Sequence, residues 1–188
     1  MRRWVRVLLM ISFSLYMVGC SVSSDDGPPV DPEFDRTTPE NLIKYFADAY
    51  EKEDIDKYEE SLHDQFLFEF LPDDADSAGL PPDTPWWGKV SEVTAAGKLF
   101  DAATITKIEM DLPIDVGPWD TEDGLGFRLD PLIKVTEEKP DYTEPKVYQV
   151  EDSYLYVETV RDPYDEDLWV FKEITETKKE GFLASAGK

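Results

Sequence analysis

The chain of 188 residues carries 42 Asp and Glu against 19 Lys and Arg, a formal charge of −23 and a pI near 4.2. Such a surface cannot displace counterions from a phosphate backbone, which excludes nucleic acid as a partner, and it offers no basic patch for an anionic lipid surface. The length suits one domain of ordinary size, and five Trp, nine Tyr and ten Phe give it ample material for a core.

Arg2, Arg3 and Arg6 precede an apolar run from Val7 to Val18. A charged head and a core of about a dozen residues describe a secretory leader, because a bilayer-spanning helix needs roughly 20. The run ends in Met17-Val18-Gly19-Cys20, which resembles the lipobox of bacterial lipoproteins, with Met17 where Leu is usual. That resemblance implies cleavage before Cys20 and acylation of its thiol, so that acyl chains on Cys20 hold the protein to a membrane. It also implies an exported protein sorted to the outer membrane rather than the inner, since Ser21 and not Asp follows Cys20. An ordinary cleaved leader followed by a chance cysteine is the other reading. Residues 1–19 contain three Arg and no acid, so the mature part stands at −26. Cys20 is the only cysteine, which excludes a disulfide within the chain and any thiolate metal site or Cys nucleophile beyond it.

Residues 20–37 read as a flexible tether, because Ser21 to Pro29 has no apolar periodicity to bury. A chain of that length spans roughly 20–25 Å. Thr38-Pro39-Glu40 then opens a helix: Thr38 caps, Pro39 has the φ favoured at the first position, and Glu40 suits the positive end of the dipole. Leu42, Ile43, Phe46, Ala49 and Tyr50 recur at helical spacing. Asp54 caps a second, shorter helix with Ile55, Tyr58 and Leu62 on its apolar side, and Phe66, Phe68 and Phe70 share one face of a strand.

Leu71 to Gly88 reads as a long loop closing on Trp86-Trp87, and Val90, Val93, Ala96 or Gly97, and Phe100 mark a third helix. From Thr104 the period falls to two. Ile108, Met110, Leu112, Ile114 and Val116 form a half-buried strand, Asp123-Gly124 a turn, and Phe127, Leu129, Ile133 and Val135 the return, with Pro131 predicting a bulge or edge. A further strand spans 146–160 and another 169–175, and 177–188 read as a disordered tail.

This order predicts an α+β fold, three N-terminal helices packed on a curved, mostly antiparallel sheet. It resembles the nuclear-transport-factor-2-like, ketosteroid-isomerase-like superfamily, whose cone-shaped, cystatin-like domains include SnoaL-like cyclases. The resemblance rests on Thr38-Pro39-Glu40-Asn41-Leu42, Asp54-Ile55-Asp56-Lys57-Tyr58, Leu62-His63-Asp64-Gln65-Phe66 and Trp169-Val170-Phe171-Lys172, and covers 38–176. It implies an isomerase, dehydratase, cyclase, or a non-catalytic binding or assembly domain, and fold alone does not choose. Laid on Asp54, the isomerase's general base falls on Phe70 and its oxyanion-stabilising Tyr on Phe46, and phenylalanine can fill neither role. Glu69 and Tyr45 are the near misses.

His63, the one histidine, stands beside Asp64, which invites a dehydratase reading of the fold, yet its place at a helix-to-strand corner suits a residue that simply meets solvent. The acidic runs at 73–76 and 162–167 lack the spacing of an EF-hand, and the acidity itself reads as a solvated shell or as an attractor of calcium or a cationic ligand. Trp86, Trp87, Tyr154, Tyr156 and Trp169 are the candidate ligand-binding residues, able to stack on a small apolar or sugar-like molecule. No catalytic residue, metal site or cofactor is assigned. Charges at Lys107, Glu109, Asp111, Arg128, Asp130 and Lys134 predict a solvated outer sheet face and a monomer or weak dimer. The sequence thus leads to a lipid-anchored envelope protein with a non-catalytic binding cone, the alternatives being a small lyase, isomerase or cyclase of the same fold and an envelope scaffold.

Overall fold

The computed structural model describes residues 34–77, 80–81, 83–150 and 152–179, so Cys20 and the leader lie outside the described residues. Helix α1 (Pro39–Glu51) begins as the sequence dictates: the Thr38 hydroxyl accepts from Asn41 N at 3.1 Å, and Pro39 occupies the first position. Its stripe of Leu42, Ile43, Phe46 and Ala49 is at most 6 % exposed. Burying each of the larger side chains contributes about 1.5–3 kcal/mol, more than propensity supplies to a helix of this length. Asp54 likewise caps α2 (Ile55–Glu60) through Lys57 N at 3.1 Å.

Strand β1 (Leu62–Glu69) leads to α3 (Pro72–Ser77), a six-residue helix inside the segment expected to be loop, and then to the short β2 (Trp86–Gly88) and to α4 (Lys89–Phe100). Among the described residues the helices are therefore four, and two follow the first strand. Helix α4 is turned from its expected face. Val90 is 82 % exposed, while Ala96 and Leu99 are buried and Val93 and Phe100 pack beside the core. At about 100° per residue, positions 92, 96 and 99 share a side and Val90 lies across the helix from them.

The remaining strands are β3 (Ile105–Asp111), β4 (Ile114–Asp120), β5 (Leu125–Leu129), β6 (Leu132–Glu137), β7 (Lys146–Val150), β8 (Ser153–Arg161) and β9 (Trp169–Lys178). They form two sheets, a six-stranded one ordered β2-β1-β9-β8-β5-β4 and a three-stranded one ordered β3-β6-β7. All pairs are antiparallel except β1 with β9. One long hairpin crosses both sheets. β3 and β4 run against β6 and β5, with Asp130 N bonded to Pro113 O at 3.0 Å where the ladder turns its corner. Pro113 and Pro131 stand at that corner, where a residue without an N–H costs the ladder nothing. The expected strand over 146–160 is likewise divided, β7 going to one sheet and β8 to the other.

The hairpin closes at Asp123-Gly124, with Thr121 N donating to Gly124 O at 3.1 Å. A Cβ on Gly124 would collide with the Thr159 carbonyl of the neighbouring strand. Strand β9 continues through Lys178, two residues past the expected domain end.

Candidate functional site

The inside of the cone is built from rings. Phe46 packs on Tyr58 at 4.9 Å between centroids and edge-on to Phe171 at 5.1 Å, and Tyr50 meets Phe100 at 5.1 Å. Phe66, Phe127, Phe171 and Tyr58 are at most 1 % exposed. Phe46, where isomerase chemistry would need a donor, is buried among these rings, and Phe70, where it would need a base, is buried against Phe68 and Trp87. Neither near miss joins these rings. Glu69 is exposed, and the Tyr45 hydroxyl goes to Glu60 Oε2 at 3.2 Å.

Besides Glu137, which stands in line with the core residue Val135 on β6, two carboxylates face inward. Glu92 enters on the buried side of α4, where Tyr58 donates to one oxygen and Trp87 Nε1 to the other at 2.7 Å. Burial raises its pKa, and the two donors pull against that rise. The carboxylate ties α2, β2 and α4 together, with both oxygens committed. Glu176 lies on the inward face of β9, two residues after the core residue Ile174 and opposite Leu155. Burial, reinforced by the neighbouring Asp74 carboxylate of α3, pushes its pKa up to about 7. The Ser153 hydroxyl and the Leu71 backbone N–H act in the other direction. Ser153 lies close enough to favour the charge, yet its buried hydroxyl makes no hydrogen bond among the described residues.

The polar depression lies outside the cone, between α2, the start of β1 and the β8–β9 connection. It is a cleft of about 470 Å³. Its floor is Leu62 and Val170, each 2 % exposed. Arg36 forms one wall, donating to the Glu60 carbonyl at 2.7 Å and pairing with Asp162 Oδ2 at 3.0 Å, both side chains nearly buried. Trp169 N donates to Arg36 O at 2.8 Å, and the Asp35 carboxylate accepts from Thr37 and Asn41. Residues 34–37, counted with the tether in the sequence, are thus bound to the domain. On the far wall Lys89 donates to the Leu62 carbonyl at 2.9 Å and lies 3.7 Å from Asp64. Tyr164, exposed on the β8–β9 connection, reaches across the opening and donates to Asp64 Oδ2 at 2.5 Å. That bond, ahead of the nearby Lys89, holds the Asp64 pKa down. His63 lines this outer cleft rather than the interior, its Nδ1 accepting from Gln65 N at 3.0 Å.

The five aromatic candidates do not share one site. Tyr154 and Tyr156 stand on the outward face of β8, because Ser153, Leu155 and Val157 hold the inward one. Arg128 covers the Tyr154 ring at 4.8 Å, and Trp119 lies 6.3 Å from Tyr156. Trp86 is exposed at the sheet edge, opposite Glu69. Trp169 lies under Arg161 at 4.3 Å. Trp169 also packs against the core, and Trp87 turns inward, edge-on to Phe70 at 4.6 Å and bonded to Glu92.

Sequence reasoning missed Glu92, although an acid in register with Ala96 and Leu99 was its signal. Glu176 was legible only as an acid at an inward position of β9, one step past the expected strand end. The Arg36–Asp162 pair joins residues 126 apart and left no local signal.

No protein-family model matches the sequence, and no curated relative matches it. Solved structures are similar in shape. A protein of Novosphingobium aromaticivorans, provisionally assigned as an aromatic ring hydroxylase, superposes with a TM-score of 0.56 at 17 % identity, over 79 % of this chain and 92 % of its own. Kfla4162 of Kribbella flavida gives 0.55 at 14 % identity, over 79 % and 93 %. A Streptomyces avermitilis protein of the NTF2-like family, provisionally assigned as a dehydratase, gives 0.54 at 14 %, over 78 % and 98 %. At these identities the likeness carries architecture and not activity: the domain has the NTF2-like, cone-shaped α+β fold.

Proposed function

We propose that this is a lipid-anchored protein of the cell envelope, sorted to the outer membrane, whose cone domain binds a ligand or partner without turning it over. The leader pattern ending at Cys20 supports the anchor. One observation carries the non-catalytic part: rings of Phe46, Tyr58, Phe66, Phe127 and Phe171 fill the interior, and both Glu92 oxygens are already taken. Binding then belongs to the outer cleft. The same filled interior also suits the scaffold reading.

Glu176 favours a second reading, a small hydro-lyase or cyclase-like enzyme, because an inward carboxyl titrating near neutrality is suited to general acid–base work. It ranks second because its carboxyl lies beside Leu71 and the Asp74 carboxylate of α3, largely withdrawn from solvent. Mass spectrometry of the natively purified protein tests the proposal. The expected species begins at acylated Cys20. An unmodified thiol on a protein released free from the envelope would remove the anchor. A conversion that disappears in Glu176→Gln would remove the non-catalytic reading.

A further inference from the structure

We propose that the outer cleft binds an alkylammonium group, carried by a free polyamine or by a lysine side chain of a protein partner. This rests on reading the domain as a binding module and gives that module its ligand chemistry. Five carboxylates line the cleft against the two permanent cations Arg36 and Lys89, a net of −3 with His63 neutral. Both cations are already engaged. Arg36 is held by Asp162 and the Glu60 carbonyl, and Lys89 by the Leu62 carbonyl and Asp64. Asp56 and Glu59, by contrast, form no ion pair among the described residues. They stand three apart on α2, hence on one face, and that face lines the cleft. An anion would be repelled here and a cation would find unmatched charge.

The rest of the lining selects the kind of cation. Leu62 and Val170 make an apolar floor, which suits methylene groups better than a hydrated ion. The exposed ring of Tyr164 stands at the rim, positioned to face an ammonium. A bare divalent ion fits poorly: calcium needs six to eight oxygens at about 2.3–2.6 Å, and no three His, Cys, Asp or Glu gather closely enough among the described residues. The carboxylates are spread over a space of about 470 Å³, enough for a short alkyl chain with a charged end.

The test is titration calorimetry of the acylated mature protein in detergent at 150 mM NaCl, where the Debye length is about 8 Å and general attraction to an acidic chain is damped. Spermidine is one probe and Nα-acetyl-lysine methylamide the other. Saturable binding of one molecule per chain is expected. The variant Asp56→Asn/Glu59→Gln should weaken it about 5-fold or more. A matched neutralisation in the β6–β7 connection, Asp141→Asn/Glu144→Gln, should change it less than about 2-fold. Tyr164→Ala, at a residue too exposed to affect folding, should weaken binding roughly 2-fold or more. Spermidine binding alone assigns a free polyamine, and binding of the lysine probe alone assigns a partner side chain. No saturable heat with either probe, or equal weakening by the two double variants, overturns the proposal. Acylated protein that binds neither probe removes the cation site and leaves the anchor, whereas unacylated protein that binds does the reverse.

Discussion

Glu176→Gln should stabilise the protein in alkaline solution and change it little in acid. The carboxyl begins at its ordinary value of 4.5 and stands at about 7 in the fold, chiefly through burial. Raised in this way, it contributes stability that is complete below 4.5 and lost as pH rises through about 7, where a charge must be held under α3 beside Asp74. At pH 8.5 the penalty integrates to about 3 kcal/mol, at 1.36 kcal/mol for each tenfold change in proton affinity. At pH 5.0 it is under about 1 kcal/mol. Glutamine mimics the protonated carboxyl and escapes the penalty. Thermal unfolding of the two proteins should therefore differ by about 6–12 °C at pH 8.5 and about 2–3 °C at pH 5.0, at roughly 2–4 °C per kcal/mol. Both conditions stay above the pI near 4.2. A gap that does not depend on pH, or a Glu176→Gln protein that melts lower at pH 8.5, would show that the carboxyl is not held as argued.

Glu137 should behave in the opposite sense. It is 3 % exposed, accepts from Lys139 at 2.7 Å, Tyr142 at 2.9 Å and Tyr148 at 3.0 Å, and its pKa is lowered, so its contribution is present above the unfolded value and lost as pH falls through the folded one. Glu137→Gln should cost about 2–3 kcal/mol in urea titrations at pH 7.5, and the cost should shrink on acidification. Gly124→Ala should cost more than about 2 kcal/mol, because its methyl group meets backbone and not a movable side chain. Val90→Lys should fall within about 0.5 kcal/mol of the parent, which checks the rotation of α4 directly.

What could be read in advance was local. Thr38-Pro39 and Asp54 carry their caps in the side chain itself, and the alternation of Phe66, Phe68 and Phe70 states a face regardless of what covers it. The hairpin turn at Asp123-Gly124 and the break at Pro131 were visible for the same reason. Helix α4 was misjudged because two stripes compete on it, and the core chose the one containing an acid. Nothing local says that Tyr58, 34 residues earlier, will satisfy that acid. Strand β8 failed on parity. Both of its faces carry large side chains, so only the pairing with β5 and β9 shows that Tyr154 and Tyr156 look outward. The cleft is the extreme case, assembled from segments that meet only after the sheet has closed.

Glu176 and the cleft are separate in space, which gives the two lines of argument independent standing. The parallel pairing of Leu62 with Phe171 places the cleft at the beginning of β1 and β9, whereas Glu176 and Ser153 lie at the far end of β9 and the near end of β8. Along β9 the five steps from Phe171 to Glu176, at about 3.3 Å each, set the two ends roughly 17 Å apart. Between them runs a core of close-packed rings, whereas energetic coupling is carried by elements with two discrete arrangements. Coupling over that distance would need such an element, and sites more than about 10 Å apart without shared partners act additively. Glu176→Gln should therefore raise the alkaline melting temperature and leave cation binding at the cleft unchanged. If it altered both, the cone would be transmitting strain along β9, and the outer cleft could no longer be treated as a rigid surface feature.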